Sequence, residues 1–239
     1  MAGRIAYTGN IVRNGLVLLL DAAKKDSYLG TGTAWNDISG NGNNGTLTNG
    51  PAFNSNNNGS IVFDGTNDYI TLGTPSSLNI TGNFTVNSWV KVTMFPSVIG
   101  TIYEKGFDGV AEQIYFRFRN NSGTQVLDVG TYKATNNTNY STTYIVGSNI
   151  IIGSWYNIVG QYDGANWIIY LNGTLVSSTL QNQGPLASSA PVSIGAAYIS
   201  SGYERFFNGS IGTVQIYNRA LSAAEVSQNF NALRGRYGI

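Results

Sequence analysis

The sequence predicts an all-β sandwich of two antiparallel sheets carrying one short helix at its C-terminal end. Three observations support this. The stretch Trp155–Gly173 reads as two strands, Trp155–Tyr162 and Asn166–Leu171, around an Asp163-Gly164 turn, and closes on a second turn at Asn172-Gly173. Asp-Gly and Asn-Gly supply the positive backbone φ angles that tight hairpins require. Residues Phe84–Val92 and Ile114–Arg119 alternate apolar and polar side chains, the period of a strand with one face in a core. Finally, Ser222-Ala223-Ala224-Glu225 is a capping box ahead of Val226, Phe230 and Leu233, one apolar stripe at helical spacing.

The remaining elements follow from the same chemistry. Residues 1–14 read as an arm and Leu16–Asp21 as the first core strand. Tyr28 to Asn58 is dense in Gly, Asn, Ser and Thr, and Gly40-Asn41-Gly42-Asn43-Asn44-Gly45 can form neither a helix nor a long strand. This region reads as an ordered loop pinned by Trp35, with a ligand or metal role as the alternative. Ser60–Phe63 and Tyr69–Leu72 are short strands flanking the turn Asp64-Gly65-Thr66-Asn67-Asp68. Phe84, Val86, Val90 and Val92 face the core from the next strand, while Thr85, Asn87, Trp89 and Lys91 face away. Ile114, Phe116 and Phe118 point inward, and Val126–Lys133 is the hairpin partner of that strand across Asn120–Gly123. Ala134–Thr143 is polar, and Tyr144–Ile152 leads into the Trp155–Gly173 meander. In that meander Trp167, Ile169 and Leu171 line one face and Ile168 and Tyr170 the other, so the strand has neighbours on both sides. Val192–Tyr198 and Ile211–Tyr217 close the sheets, and Arg234 and Arg236 fall where they favour the helix dipole. The expected total is about twelve to fourteen strands.

Composition excludes several classes of function. A length of 239 residues suits one sandwich domain. With no histidine and no cysteine, Ser-His-Asp and Cys-His catalysis, disulfides and thiolate metal sites are ruled out. Only 10% of residues are charged and the net charge is +1, too weak a field to attract nucleic acid or an anionic membrane. The opening MAGRIAYTGNIVRNG lacks the apolar core of a signal peptide, and no run approaches the roughly 20 apolar residues of a membrane span. The expectation is a protein made in the cytoplasm, without membrane insertion.

Two kinds of site are candidates. The strand faces turned away from the core offer Trp89, Tyr115, Arg117, Arg119 and Tyr132 as a sugar-binding group. Flat rings suit the apolar side of a pyranose, and guanidiniums suit its hydroxyls. The alternative is that Trp89 packs under a loop while Tyr115 and the arginines form a solvated sheet face. Asp64 and Asp68 flank one Gly-bearing turn and Glu104 and Asp108 crown another, so either pair could supply oxygen ligands to calcium, with Asp21 and Asp26 contributing. The alternative for Asp64 and Asp68 is that they bond nearby backbone N–H groups. Beyond such a structural calcium, no cofactor is expected.

Four stretches occur in order: Ser60-Ile-Val-Phe-Asp-Gly-Thr-Asn-Asp-Tyr-Ile, Phe84-Thr-Val-Asn-Ser-Trp-Val-Lys, the Trp155–Gly173 meander, and Ile216-Tyr-Asn-Arg-Ala-Leu-Ser-Ala-Ala-Glu-Val. Together they resemble the laminin G-like domains of the concanavalin A-like lectin/glucanase superfamily. That resemblance implies a jelly-roll sandwich over residues 15–233, leaving 1–14 as an arm and 234–239 as a C-terminal tail. It does not imply one function, because lectins, glycosidases, adhesion modules and virion parts share the fold. The termini, MAGRIAYTGNIVRNGLVLLLDAAKKDSY and QNFNALRGRYGI, are also similar to stand-alone proteins of this type in tailed bacteriophages of marine bacteria. This second resemblance implies virion localisation as a fibre or decoration component, with a surface for host glycan or protein. Other virion proteins would be its partners, in a homo-oligomer or another symmetric assembly. Arg4, Arg13, Arg234 and Arg236 of the two end segments would then anchor it to a neighbour, with fraying tails as the alternative.

Two departures from the family pattern matter. The glucanase branch carries Glu-x-Asp-x-Glu, or a variant one residue longer, on one strand face, and a glycosidase needs two carboxyl groups about 5–10 Å apart. Of Glu104, Glu112, Glu204 and Glu225, only Glu104 and Glu112 have an acidic residue two to four positions away, in both cases Asp108 in a Gly-bearing loop, and Glu225 serves the capping box. A non-enzymatic protein is expected. Gly212-Thr213-Val214-Gln215 stands where many relatives carry an acidic pair, which weakens the case for calcium.

Overall fold

Alternation and turn chemistry produce strands that the computed structural model assembles into two sheets; it describes residues 10–200 and 202–239. In chain order the strands are β1 (Leu16–Asp21), β2 (Ala34–Trp35), β3 (Gly45–Thr48), β4 (Ala52–Asn54), β5 (Ser60–Asp64), β6 (Tyr69–Gly73), β7 (Phe84–Val92), β8 (Ile99–Phe107), β9 (Ala111–Asn121), β10 (Thr124–Lys133), β11 (Thr138–Ile145), β12 (Trp155–Tyr162), β13 (Asn166–Leu171), β14 (Thr174–Leu180), β15 (Val192–Ile194), β16 (Ala197–Ile199), β17 (Gly202–Glu204) and β18 (Asn208–Tyr217). Helix α1 (Ala223–Tyr237) follows. The first sheet runs β14-β13-β12-β7-β18-β5-β4 with β1 also on β18, and the second runs β11-β10-β9-β8-β15-β6-β3-β2. The β16–β17 hairpin hangs from β8 through a single parallel pair, Ile199 with Phe107.

The turns behave as their residues dictate. Asn172 and Gly173 both take positive φ between β13 and β14, as do Ser122 and Gly123 between β9 and β10. Asp163 accepts the backbone N–H groups of Ala165 and Asn166 at 2.9 and 2.6 Å, closing the β12–β13 turn. Strand β13 lies between β12 and β14 and has apolar residues on both faces. Trp167 and Ile169 enter the main core, whereas Ile168 and Tyr170 join a second cluster on the outer face.

Between the sheets Val86, Val90, Ile158, Trp167 and Val214 meet Ile114, Phe116, Phe118, Leu127 and Val129. Gly160 of β12 faces this contact, and a Cβ there would stand 2.7 Å from Val129 Cγ2. Without a side chain at 160 the two sheets can close on Phe116 and Val129.

Several elements differ from expectation. The count exceeds fourteen because β2, β4, β15, β16 and β17 are two- or three-residue pieces. Val192–Tyr198 is not continuous, since Gly195 at φ +82° breaks it into β15 and β16. The polar stretch 134–143 contains most of β11, an edge strand that needs few apolar residues because much of it meets solvent. Strand β8 shows no alternation because a bulge at its middle sends both Ile102 and Tyr103 into the core.

Helix α1 begins as its capping box requires. The Ser222 hydroxyl accepts the Glu225 N–H and the Glu225 carboxylate accepts the Ser222 N–H. The helix lies on the outer face of the first sheet, where Phe230, Leu233 and Tyr237 cluster with Trp89 and Trp155. It continues through Arg234–Tyr237, so the proposed 234–239 tail is mostly the last helical turn. Arg236 is buried there because Asp21 of β1 neutralises it, Nη1 to Oδ1 2.6 Å. Residues 10–14 pack as well: Val12 N–H donates to Asn229 and its carbonyl accepts from Tyr217 OH. Residues 1–9 of the expected arm, Arg4 included, lie outside the described residues. Among the described residues no helix is long and apolar enough to cross a membrane.

Candidate binding site

The proposed sugar-binding group does not assemble as one site. Trp89 belongs to β7 of the first sheet, whereas Tyr115, Arg117, Arg119 and Tyr132 belong to β9 and β10 of the second. Trp89 faces away from the core, as its alternation requires, but helix α1 covers it. Its ring stacks on Tyr237 at 4.1 Å and on Phe230 at 5.8 Å. Trp89 is therefore a helix-docking residue.

The other four lie together on the outer face of the second sheet. Cross-strand pairing sets Asp128 opposite Arg117 and Tyr132 opposite Glu112. An extra residue in β9 between Glu112 and Tyr115 reverses the side-chain parity, so Glu112 shares a face with Tyr115 and Arg117. The matching bulge in β8 places Glu104 opposite Tyr115 on that same face. Arg205, just past β17, reaches in from the hairpin side.

The result is a mostly buried ionic network. Arg205 Nη1 lies 2.7 Å from Glu112 Oε1, and Arg117 Nη1 lies 3.5 Å from Glu112 Oε2. Asp128 Oδ2 sits 3.5 Å from Arg117 Nε and 3.2 Å from Arg119 Nε. The Arg117 guanidinium also covers the Tyr115 ring at 3.7 Å, a cation–π stack. Burial opposes charge on Arg117, but Asp128 and the other anionic neighbours keep it positive. Tyr115 is not a solvated surface ring; it is fully buried, and burial pushes its phenol up.

Glu104 is the unusual member. It is 0% exposed, and neither carboxyl oxygen has a hydrogen-bond partner among the described residues. Burial raises its pKa well above the ordinary carboxylate value, and the neighbouring Glu112 charge raises it further, against Arg117 and Arg205. Burial and the Glu112 charge thus both favour the protonated form of Glu104 beneath the network.

Above the network opens a cleft of about 290 Å³, lined by Phe107, Glu112, Arg117, Tyr132, Asn139, Ile199 and Arg205. Phe107 and Tyr132 stand 5.9 Å apart, tilted by 55°, as one aromatic wall. Hairpin β16–β17 supplies Ile199 and leads into Arg205. It can cross β8 because residue 106 is glycine, where a Cβ would meet the Tyr198 carbonyl oxygen at 2.5 Å. Arg205 takes a left-handed φ of +58°, with its carbonyl accepting the Thr101 N–H at 2.9 Å. Such a conformation costs a non-glycine residue roughly 1–2 kcal/mol. Arg117 and Tyr132 of the expected group line this cleft; Tyr115 and Arg119 support it from behind.

Of the expected calcium ligands, the three aspartates Asp64, Asp68 and Asp108 are engaged otherwise. Asp64 Oδ1 accepts from the N–H groups of Thr66, Asn67 and Asp68, and Asp68 Oδ2 accepts from Asp64 N–H. Burial works against the Asp64 charge, yet these amide bonds hold its pKa below the usual value. Glu104 is in the middle of β8 and not on a turn, whereas Asp108 caps Val110 and Ala111 and reaches Ser189. No three of the described carboxylates converge as ion ligands.

With this geometry established, sequence comparison supplies the family. Residues 64–227 match a laminin G-like family of the concanavalin A-like lectin/glucanases superfamily. The chain belongs to that superfamily. Among curated proteins, none matches it. Similar solved structures share the fold at low identity. The binding domain of Paraclostridial Mosquitocidal Protein 1 aligns with TM-score 0.70 and 17% identity, over 92% of this chain and 52% of that one. The ligand binding domain of botulinum neurotoxin serotype D, solved with N-acetylneuraminic acid, gives 0.69 and 16% over 92% and 51%. Domain 4 of AbnA, a GH43 extracellular arabinanase from Geobacillus stearothermophilus solved with arabinotriose, gives 0.64 and 19% over 90% and 97%. The chain thus spans about half the length of the toxin binding domains and nearly all of the arabinanase domain.

Proposed function

We propose that the protein is a non-enzymatic, lectin-like module that binds a glycan in the cleft between β8–β10 and the β16–β17 hairpin. The observation that carries this reading is the cleft lining itself. Phe107, Tyr132 and Ile199 offer an apolar wall for a sugar ring, while Arg117, Arg205, Glu112 and Asn139 offer donors and acceptors for its hydroxyls. Aromatic wall plus convergent polar groups is the usual composition of a small-ligand site. The saccharides named with the toxin and arabinanase domains add support from proteins of the same fold. Against hydrolysis stands the state of Glu112, which lines the cleft, and of Glu104 beneath it: Glu104 is sealed from solvent and Glu112 is held between two guanidiniums. Neither is free to act as acid or base on a bound glycoside.

The setting we propose is a bacteriophage particle, on which the chain sits in a symmetric assembly with other virion proteins and presents this cleft to the host surface. The ground for it is the resemblance read in the terminal sequence stretches; a lectin-like module with no virion role is the other reading. Mass spectrometry of purified particles separates the two, and absence of the chain removes the virion role.

The glycan reading is tested on a glycan array followed by calorimetry of the best ligand. Tyr132→Ala should weaken binding at least tenfold, since the aromatic face it removes would bury apolar surface that contributes about 1.5–3 kcal/mol. An array without any bound glycan sinks the reading. Turnover of any member of a β-glucan panel sinks the non-enzymatic part.

A further inference from the structure

The ion pairs around the cleft are unevenly shared, and one guanidinium lies at its mouth with donors to spare. Three guanidiniums, Arg117, Arg119 and Arg205, share the face with Glu112, Asp128 and Glu104. Glu104 is closed off from solvent with both oxygens unpartnered and forms no ion pair, so two paired carboxylates, Glu112 and Asp128, serve three guanidiniums. Arg117 is spent, lying between Glu112 and Asp128 and stacked on Tyr115. Arg119 is turned to Asp128 and does not line the cleft. Arg205 differs from both. Its side chain is as exposed as that of Arg119, 28%, but lines the cleft. Only Nη1 is engaged, on Glu112, and Nε and Nη2 make no hydrogen bond among the described residues. A guanidinium edge carrying two free donors in one plane matches the two oxygens of a carboxylate or of a sulfate ester. The left-handed backbone at Arg205 and the Thr101 hydrogen bond hold its Cα at the rim.

We infer that the cleft selects an acidic sugar residue, with Arg205 binding the acid group while Phe107 and Tyr132 hold the ring. This rests on the glycan-binding reading and adds the class of glycan to it. The cleft volume of about 290 Å³ suits a monosaccharide-sized group. Neutral sugars lack an acid group for the free Nε–Nη2 edge of Arg205 and lose that contact.

The test compares acidic oligosaccharides with their own neutral forms. Oligosaccharides ending in glucuronate, galacturonate or N-acetylneuraminate are each paired with the corresponding methyl ester, and a sulfated sugar with its unsulfated parent. Calorimetry at low salt should give at least tenfold tighter binding for one acidic form than for its neutral partner, with the gap narrowing as salt rises. Preference in the uronate or neuraminate pairs identifies a carboxylate, and preference in the sulfated pair a sulfate ester. In Arg205→Gln the preference should fall below threefold; it is a ratio, so a loss of folded protein affects both members alike. Equal or tighter binding of every neutral form in the wild-type protein overturns the inference and leaves the glycan reading standing. A preference that persists in Arg205→Gln overturns the assignment to Arg205. Absence of binding to every glycan, acidic or neutral, defeats both.

Discussion

Arg236 and Asp21, 215 residues apart in the chain, form a buried ion pair with Nη1 2.6 Å from Oδ1. The pair ties the last turn of α1 to the end of β1. Arg236 also donates through Nε to the Asn57 carbonyl at 2.7 Å and through Nη2 to the Gly59 carbonyl. One guanidinium thus joins the helix to the first strand and to the segment before β5. Removing one partner leaves the other charge buried without compensation, which costs about 3–5 kcal/mol. Arg236→Ala should lose that much stability in urea unfolding, and Asp21→Asn a comparable amount; a change below 1 kcal/mol in both would contradict the buried-pair account.

Trp89 stabilises the fold and does not touch the cleft. Trp89→Ala empties the space between β7 and α1 and should cost about 3–5 kcal/mol. Measured at a temperature where the variant remains folded, its affinity for the best array glycan should stay within twofold of wild type. A loss like that of Tyr132→Ala would restore Trp89 to the binding site.

The proton on Glu104 makes stability depend on pH in a defined direction. Its folded pKa is raised above the ordinary 4.5, so the folded state holds a proton that the unfolded chain releases. The contribution is intact below the ordinary value and is lost as pH rises towards the folded value. Facing groups are Glu112, Tyr115 and Arg117 on β9, Asp128 on β10 and Arg205, with Lys105 next to it in β8; burial lowers the pKa of Lys105, which works oppositely at high pH. The difference between wild type and Glu104→Gln isolates the acid. The variant should gain in Tm relative to wild type as pH is raised from 5 to 9; a constant difference refutes a bound proton.

The helix cap carries the opposite signature. Hydrogen bonding to the Arg219 guanidinium, against burial and with help from Ser222, holds Glu225 down at about 2 from an ordinary 4.5. The unfolded chain binds more protons between those values, so this stability is full above 4.5 and is lost as pH falls towards 2. Glu225→Gln should flatten the acid limb of a pH–stability curve. Ser222→Ala should cost about 0.5–2 kcal/mol at neutral pH, read as a lower urea midpoint.

Much of the site was within reach of the sequence, and part was not. Counting outward from the Ser122-Gly123 turn sets Asp128 opposite Arg117, so that pair could have been read from hairpin register alone. The bulges in β8 and β9 hid Glu104 and Glu112, because an extra residue breaks the period-2 signal that identifies a face. Arg205 gave no local sign, since its place depends on the β16–β17 hairpin crossing β8. Asp64 and Asp68 were legible as turn residues because their partners lie within four positions.

Strand identity, hairpin turns and the helix cap depend on neighbours within a few residues, and for these Trp155–Gly173, Phe84–Val92 and Ser222–Glu225 were sufficient evidence. Sheet membership depends on contacts across the whole chain. Trp89 and Arg117 both alternate away from the core, yet one lies under α1 and the other in the cleft network, because β7 and β9 joined different sheets. Alternation tells which side of a strand a residue occupies; only packing tells what waits on that side.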